Sequence, residues 1–298
     1  MTGGTILTVG AFAMDTIFRL DALPEGPGKV IPLDAVEVAE GMAAAQAASI
    51  VRLGGKAALW ASTGDDATAD RMVAQLGAEG VDMRRIRRVP GARSGFSAIF
   101  MDRAGQTMIV PRYDPAITSD PGVDPDLDGV AAVMVDVRWP QAARRALASA
   151  RGAGLPAILD ADLASAETLE SLLPLATHVV ASESAARLVT GREPAEAVVA
   201  LAARYRVFAA VTAGAEGCYW VDGTTLRHTP APRVAAIDTL AAGDVFHAGF
   251  ALGLVEGWPM DEVLRFASAA AAIKCTRFGG RLGCPSRDEV DEMLRAPS

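Results

Sequence analysis

Cysteine is scarce: Cys218, Cys275 and Cys284 are the only three in 298 residues, an odd number without metal-ligand spacing. Neither a disulfide framework nor a zinc cluster is expected, and the thiols suit a reducing cytoplasm. Positive charge is in deficit, with a net charge of -8 and a pI of about 5.0, which argues against a nucleic-acid partner. The one basic cluster, Arg84-Arg85-Ile86-Arg87-Arg88, is short and precedes a Pro-Gly turn, so it reads as a solvated face. Nothing approaches the run of about 20 apolar residues that crosses a bilayer; Ala-rich stretches such as Ala43–Ala48 are interrupted by polar residues. No membrane partner is therefore expected. The N-terminus lacks a basic segment followed by an apolar stretch and a cleavage site, so no signal peptide is expected and a cytoplasmic location is. After the first apolar run the chain reads Val9-Gly-Ala-Phe-Ala-Met14. The Gly-x-Gly-x-x-Gly of a dinucleotide-dependent oxidoreductase is missing.

What is present is a hydrophobic content of 51% and a regular alternation. Thr5–Gly10, Ala57–Gly64, Val130–Val135, Pro156–Asp160, His178–Ala181 and Val207–Thr212 are short apolar runs of strand type. Helical patterns lie between them at Glu40–Gly54, from Asp66 through Leu76, at Ala142–Ala150 and at Glu167–Leu173, with another at Val263–Lys274. Strands alternating with helices predict a mostly parallel sheet covered on both faces. Two excursions interrupt it. Thr16–Leu20 and Lys29–Val38 alternate around the turn Leu23–Gly28, and Arg93–Asp102 and Gln106–Val110 flank Arg103-Ala-Gly105. The expected division is a core of 1–14, 39–92 and 114–298, with an inserted β unit of 15–38 and 93–113.

The chemistry is concentrated in Ile237–Leu254. Ala241, Ala242 and Gly243 stand between Asp238 and Asp244, and then Phe246, Phe250 and Leu254 recur at helical spacing. A tight loop feeding a helix N-terminus presents unpartnered amides and a partial positive charge to an anion. Asp244 could be an ordinary helix cap, but a cap does not require the small residues before it. Thr212-Ala-Gly214-Ala-Glu-Gly217 sits at the end of a strand, where open sheets bind ligands; alone it reads equally as a turn.

Asp238-Thr239-Leu240-Ala241-Ala242-Gly243-Asp244 resembles the C-terminal signature of the ribokinase-like (PfkB) carbohydrate kinases. The resemblance implies a three-layer α/β sandwich with a mostly parallel central sheet and a small β-sheet lid. It implies an ATP-dependent enzyme that phosphorylates a sugar hydroxyl. The amides of Ala241, Ala242, Gly243 and Asp244 would stabilise the transferring group, and the Asp244 side chain would take the hydroxyl proton, which is what phosphoryl transfer asks of a protein. Thr212, Gly214, Gly217, Gly243, His247 and Glu183 would bind nucleotide. Mg²⁺ would come with ATP, touched through water by Glu183, since the family's Asn-x-x-Glu is replaced by Ser182-Glu-Ser-Ala185. A K⁺ site is implied at Asp238 and the carbonyl of Leu240. Asp15 and Gly41 would face the sugar, and a homodimer would form through the lid.

Within the family, Asp136-Val-Arg138-Trp139, Lys29 and Lys274–Gly283 look like the sulfofructose kinases. Arg138, Lys29 and Arg112 would then converge on an anionic ketose; the plain alternative for Arg138 is an ion pair with a nearby acid. Fructose, fructose 6-phosphate, ribose and a keto-deoxy sugar acid are the other acceptors, and a non-catalytic nucleotide- or sugar-binding regulator is the reading from another class.

Overall fold

A computed structural model describes residues 4–103 and 105–296. Ala104, in the turn of the second excursion, lies outside the described residues. The first strand, β1 (Thr5–Gly10), leads directly into β2 (Ala13–Arg19), β3 (Asp34–Glu40) and helix α1 (Met42–Arg52). Next come β4 (Ala57–Gly64), α2 (Ala67–Ala78), β5 (Arg87–Val89), β6 (Gly95–Met101) and β7 (Thr107–Arg112). Regular alternation resumes with β8 (Val130–Val135), α3 (Pro140–Gly152), β9 (Ala157–Ala161), α4 (Ala166–Leu172), β10 (His178–Ser182), α5 (Glu183–Thr190), α6 (Pro194–Tyr205) and β11 (Phe208–Thr212). The hairpin β12 (Cys218–Asp222) and β13 (Thr225–Thr229) precedes α7 (Ala242–Val255), α8 (Met260–Cys275) and α9 (Arg287–Arg295).

Two sheets result. The large one has the order β13-β12-β11-β10-β9-β8-β1-β4-β5 and is parallel from β11 to β5, with β12 and β13 antiparallel at one edge. Its strands are apolar throughout because both faces are covered. Ile6 packs with Leu59, Phe250 and Phe266 in one layer, while its neighbour Leu7 packs with Val133, Leu147 and Leu201 in the other. Successive strand side chains point to opposite faces, and each such burial contributes about 1.5–3 kcal/mol. The order places the carboxyl ends of β1, β8, β9, β10 and β11 side by side, which is where the site lies. Among the described residues no helix is long and apolar enough to cross a membrane.

The small sheet, ordered β3-β2-β6-β7, forms the expected inserted β unit. Its inner residues Ile17, Val38 and Ile99 pack on Leu240 and Phe278, so the unit rests on the signature loop and the C-terminal loop. Its strands run from Ala13 to Glu40 and from Gly95 to Arg112. Two differences stand out. The strand expected from Lys29 begins only at Asp34, and Val30, Ile31 and Leu33 are exposed; Pro32 cannot donate to a ladder, and the apolar residues there have no face to bury. Glu40 ends β3 rather than opening α1, and Gly41 takes the N-cap position at φ 99°. A side chain at Gly41 would come within 2.6 Å of the Ala11 carbonyl, so only glycine fits that crossing.

Candidate active site

Thr212, Gly214, Gly217, Ala242 and Gly243, from two segments some 30 residues apart in sequence, line one cavity of about 640 Å³. Gly217 has φ 105°, and a Cβ there would lie 2.1 Å from the Thr229 carbonyl, which fixes the turn between β11 and β12. Gly214 and Gly243, by contrast, would direct a Cβ into open space. That space, beside a helix N-terminus, fits the phosphates of a nucleotide. His247 does not join this group. It is buried, with Nδ1 2.7 Å from the Gly243 carbonyl and Nε2 3.2 Å from both the Val180 carbonyl and Asp160. Glu183 lies at the first position of α5 with its carboxylate 2.9 Å from Arg187, so its acidic group already has a cationic partner. No group of three His, Cys, Asp or Glu able to hold a metal occurs among the described residues.

The start of α7 decides what Asp244 is free to do. Ala241 occupies the cap position in the left-handed region, φ 59°, with no side-chain cap bond. Asp244 is therefore in the first turn and is not a cap. The Ala242 amide is donated to the Thr239 carbonyl at 3.2 Å, so the amides of Gly243 and Asp244, which have no intrahelical acceptor, are the stronger anion donors of the four expected. The Asp244 carboxylate has one long contact, 3.5 Å from Gln46 Nε2. Burial first, and then the charge of Asp160, hold its pKa well above the usual carboxylate value. A carboxylate raised in this way is a stronger proton acceptor than an exposed one.

Sequence reasoning passed over the buried acids around it. Asp160, at the end of β9, accepts from Gln46 Nε2 at 2.6 Å, and burial raises its pKa strongly. Asp136, fully buried after β8, accepts from the amides of Ala11 (2.7 Å), Ala43 (3.1 Å) and Arg138 (2.7 Å). It thus joins the end of β1 to the start of α1. A Cβ at Gly10 would overlap the Asp136 carboxyl. Glu40 is pushed up to about 8 by burial, against the charge of Arg281. Sequence alone gives none of them a role of its own; each gains its place from segments brought together by the sheet.

On the other side, Asp15 lies in β2 opposite Ser97 of β6. Its carboxyl is pushed up to about 6 by burial, opposed by the Ser97 hydroxyl, and Oδ1 has no hydrogen-bond partner. Arg138 lines a smaller cavity of about 120 Å³ with Tyr113 and Trp139. Its guanidinium meets Asp162 Oδ2 at 3.0 Å and the Leu163 carbonyl at 3.1 Å. Arg112 ends β7 opposite Phe96, and Lys29 is on the exposed segment before β3. In the basic cluster Arg84 and Arg85 pair with Asp82 and Arg88 with Asp70; Arg84 is exposed, whereas the Arg85 side chain is largely covered.

The pfkB family of carbohydrate kinases has a sequence model that matches residues 4–287. The chain belongs to this family. As a pfkB kinase it is an ATP-dependent carbohydrate kinase with the ribokinase-like fold. A curated ribokinase of Bacillus subtilis (strain 168) is 26% identical over 294 residues, covering 97% of this chain and 99% of that one. A solved structure of a provisionally named ribokinase from Agrobacterium tumefaciens is 45% identical, with a TM-score of 0.96 and 98% of both chains covered. The Arabidopsis thaliana ribokinase solved with ribose and ATP shares the fold at a TM-score of 0.84, with 24% identity over 99% of this kinase and 100% of that chain.

Proposed function

We propose that this kinase moves the γ-phosphoryl group of ATP to a hydroxyl of a small ketose, with Asp244 as the base. The observation that carries this reading is the Asp244 carboxylate itself: in the first turn of α7, half-buried, with a single 3.5 Å contact to Gln46. Thr212, Gly214 and Gly217 hold the nucleotide in the cavity they share with Gly243. The amides of Gly243 and Asp244 accept the charge of the transferring group. Mg²⁺ arriving with the nucleotide supplies phosphate charge neutralisation. Asp15 and Gly41 face the sugar, and closure of the small sheet excludes water from the transfer. An acid kept free of structural bonds at this position is hard to reconcile with a non-catalytic regulator.

For the acceptor, an anionic ketose is the leading reading, 6-deoxy-6-sulfofructose first, phosphorylated on its C1 hydroxyl, and a sugar phosphate second. Arg138 on the wall of the smaller cavity supports it, since a sulfonate or phosphate takes charge-assisted, bidentate bonds from a guanidinium. Ribose is the second reading, favoured by the ribokinase names of the relatives and by the ion pair that Arg138 already makes with Asp162. The exposed Phe96, Met108 and Val110, on the face of the small sheet opposite Ile99, support a homodimer through that face.

ADP release on sulfofructose, fructose 6-phosphate, fructose and ribose, for wild type and Arg138→Ala, tests the acceptor. The expected result is highest kcat/KM on the sulfonate and a loss of about 10–100-fold in Arg138→Ala on that substrate alone, as for a hydrogen bond to a charged group. Preference for a neutral sugar, undiminished in Arg138→Ala, overturns the anionic reading.

A further inference from the structure

Asp238 opens the signature loop and is fully buried. Four donors reach its carboxylate. Oδ1 accepts from the Leu240 amide at 2.7 Å and the Lys274 ammonium at 2.9 Å. Oδ2 accepts from the amides of Gly279 at 2.9 Å and Gly280 at 3.1 Å. An ionised carboxylate has about four lone-pair sites, so this one is saturated. Lys274, in the last turn of α8 and fully buried, also donates to the Asp238 main-chain carbonyl at 2.8 Å.

The family resemblance placed a K⁺ ion at Asp238 and the Leu240 carbonyl. The residues do not fit that ion. A monovalent cation needs oxygens with free lone pairs, and this carboxylate has none left. A second cation would also share one buried counter-charge with an ammonium, and the desolvation of that extra charge would be uncompensated. Glu40, the other acid whose charge reaches Lys274, is engaged by the Arg281 amide at 2.8 Å.

We propose that Lys274 is a built-in replacement for the monovalent cation: its ammonium ties the Asp238 loop to the C-terminal loop 276–285, so the kinase works without K⁺ or Na⁺. The surrounding bonds run the same way. The amides of Ile237 and Asp238 both donate to the Cys275 carbonyl, at 2.8 and 3.1 Å, and Gly279 and Gly280 close the ring from the other side. Arg281 then extends it to the small sheet, through Glu40 and the Ala39 carbonyl at 2.6 Å. The α7 N-terminus is thereby held by a lysine fixed in the chain, whereas an ion would have to bind first. Lys274 is a positioning residue; it acts on the phosphoryl site through Asp238.

The test uses the full chain exchanged into a tetramethylammonium buffer free of K⁺ and Na⁺. Wild type is expected to show the same melting temperature and, within about twofold, the same ADP release when K⁺ or Na⁺ is added, because a ligand without a site stabilises nothing. Lys274→Ala, which opens a space beside Asp238, is expected to melt lower and to regain stability and turnover with K⁺ but not with more tetramethylammonium. A wild-type melting temperature or rate that rises severalfold in effect with K⁺ overturns the proposal; so does a folded Lys274→Ala that ignores K⁺. If Lys274→Ala does not fold, the wild-type titration decides alone. The melting readout needs no substrate, so its outcome is independent of which sugar is phosphorylated.

Discussion

Asp238, on the signature loop, and Asp244, in the first turn of α7, stand six residues apart and have opposite surroundings. Asp238 collects two amides from the C-terminal loop, one from its own loop and an ammonium. Asp244 has one long contact with a neutral amide and otherwise faces acids, with Asp160, Glu40 and Asp136 all raising its pKa. The difference follows from donor supply. The start of α7 directs its amides at the cavity, not at the Asp244 carboxyl, whereas Gly279 and Gly280 adopt left-handed φ values of 106° and 59° that turn two successive amides onto Asp238. One acid therefore holds the loop, and the other remains available to a substrate.

The comparison is broken most sharply by removing the holding acid. Asp238→Ala leaves Lys274 buried without its counter-charge, which costs about 3–5 kcal/mol and lowers the melting temperature by roughly 10 °C. A fall of under about 2 °C would mean that the ion pair holds little. The next effect concerns Asp15, a third acid short of donors. Its folded-state pKa is raised to about 6 from 3.8. A carboxyl raised in this way favours folding below its unfolded pKa, and that contribution is lost as pH rises through about 6. Asp15→Asn should therefore melt higher than wild type near pH 8, by up to about 3 kcal/mol at about 1.4 kcal/mol per unit. The gain should vanish near pH 4, while the KM for sugar rises. Equal melting curves at both pH values would show that Asp15 is not desolvated.

The sequence made the elements with local signals legible. Short apolar runs marked β1, β4 and β11, and the helical pattern from Asp66 marked α2, whose N-terminus the Asp66 carboxylate caps by accepting from the Ala69 amide at 2.9 Å. The grouping of Thr212, Gly214, Gly217 and Gly243 was readable because each segment sits at a strand end or helix start. Asp136, Asp160 and Arg281 were not, since Ala43, Gln46 and Ala39, which they respectively bond, lie 93 to 242 residues away and only strand order brings them together. The strand read from Lys29 begins only at Asp34 for the converse reason: alternation around Pro32 mimics a strand, but β2 ends at Arg19, whose carbonyl accepts from the Leu33 amide at 2.7 Å, and the residues before Leu33 run past it. His247 lies off the lining that Gly243 shares with Thr212, with its ring nitrogens 2.7 Å from the Gly243 carbonyl and 3.2 Å from the Val180 carbonyl; helical position alone does not say which way a ring turns.

The most direct test of the account is Asp244→Asn, measured for turnover, nucleotide affinity and melting temperature in one buffer. Asparagine keeps the shape and the contact near Gln46 but cannot take the hydroxyl proton. Turnover should fall by about 10²-fold or more, with nucleotide affinity close to that of wild type and a melting temperature at or above it, since a carboxyl held above its usual pKa by burial and neighbouring acids is removed. Retained turnover would contradict the assignment of Asp244 as base. So would a melting temperature that falls together with the rate, for then Asp244 would be holding the loop as Asp238 does.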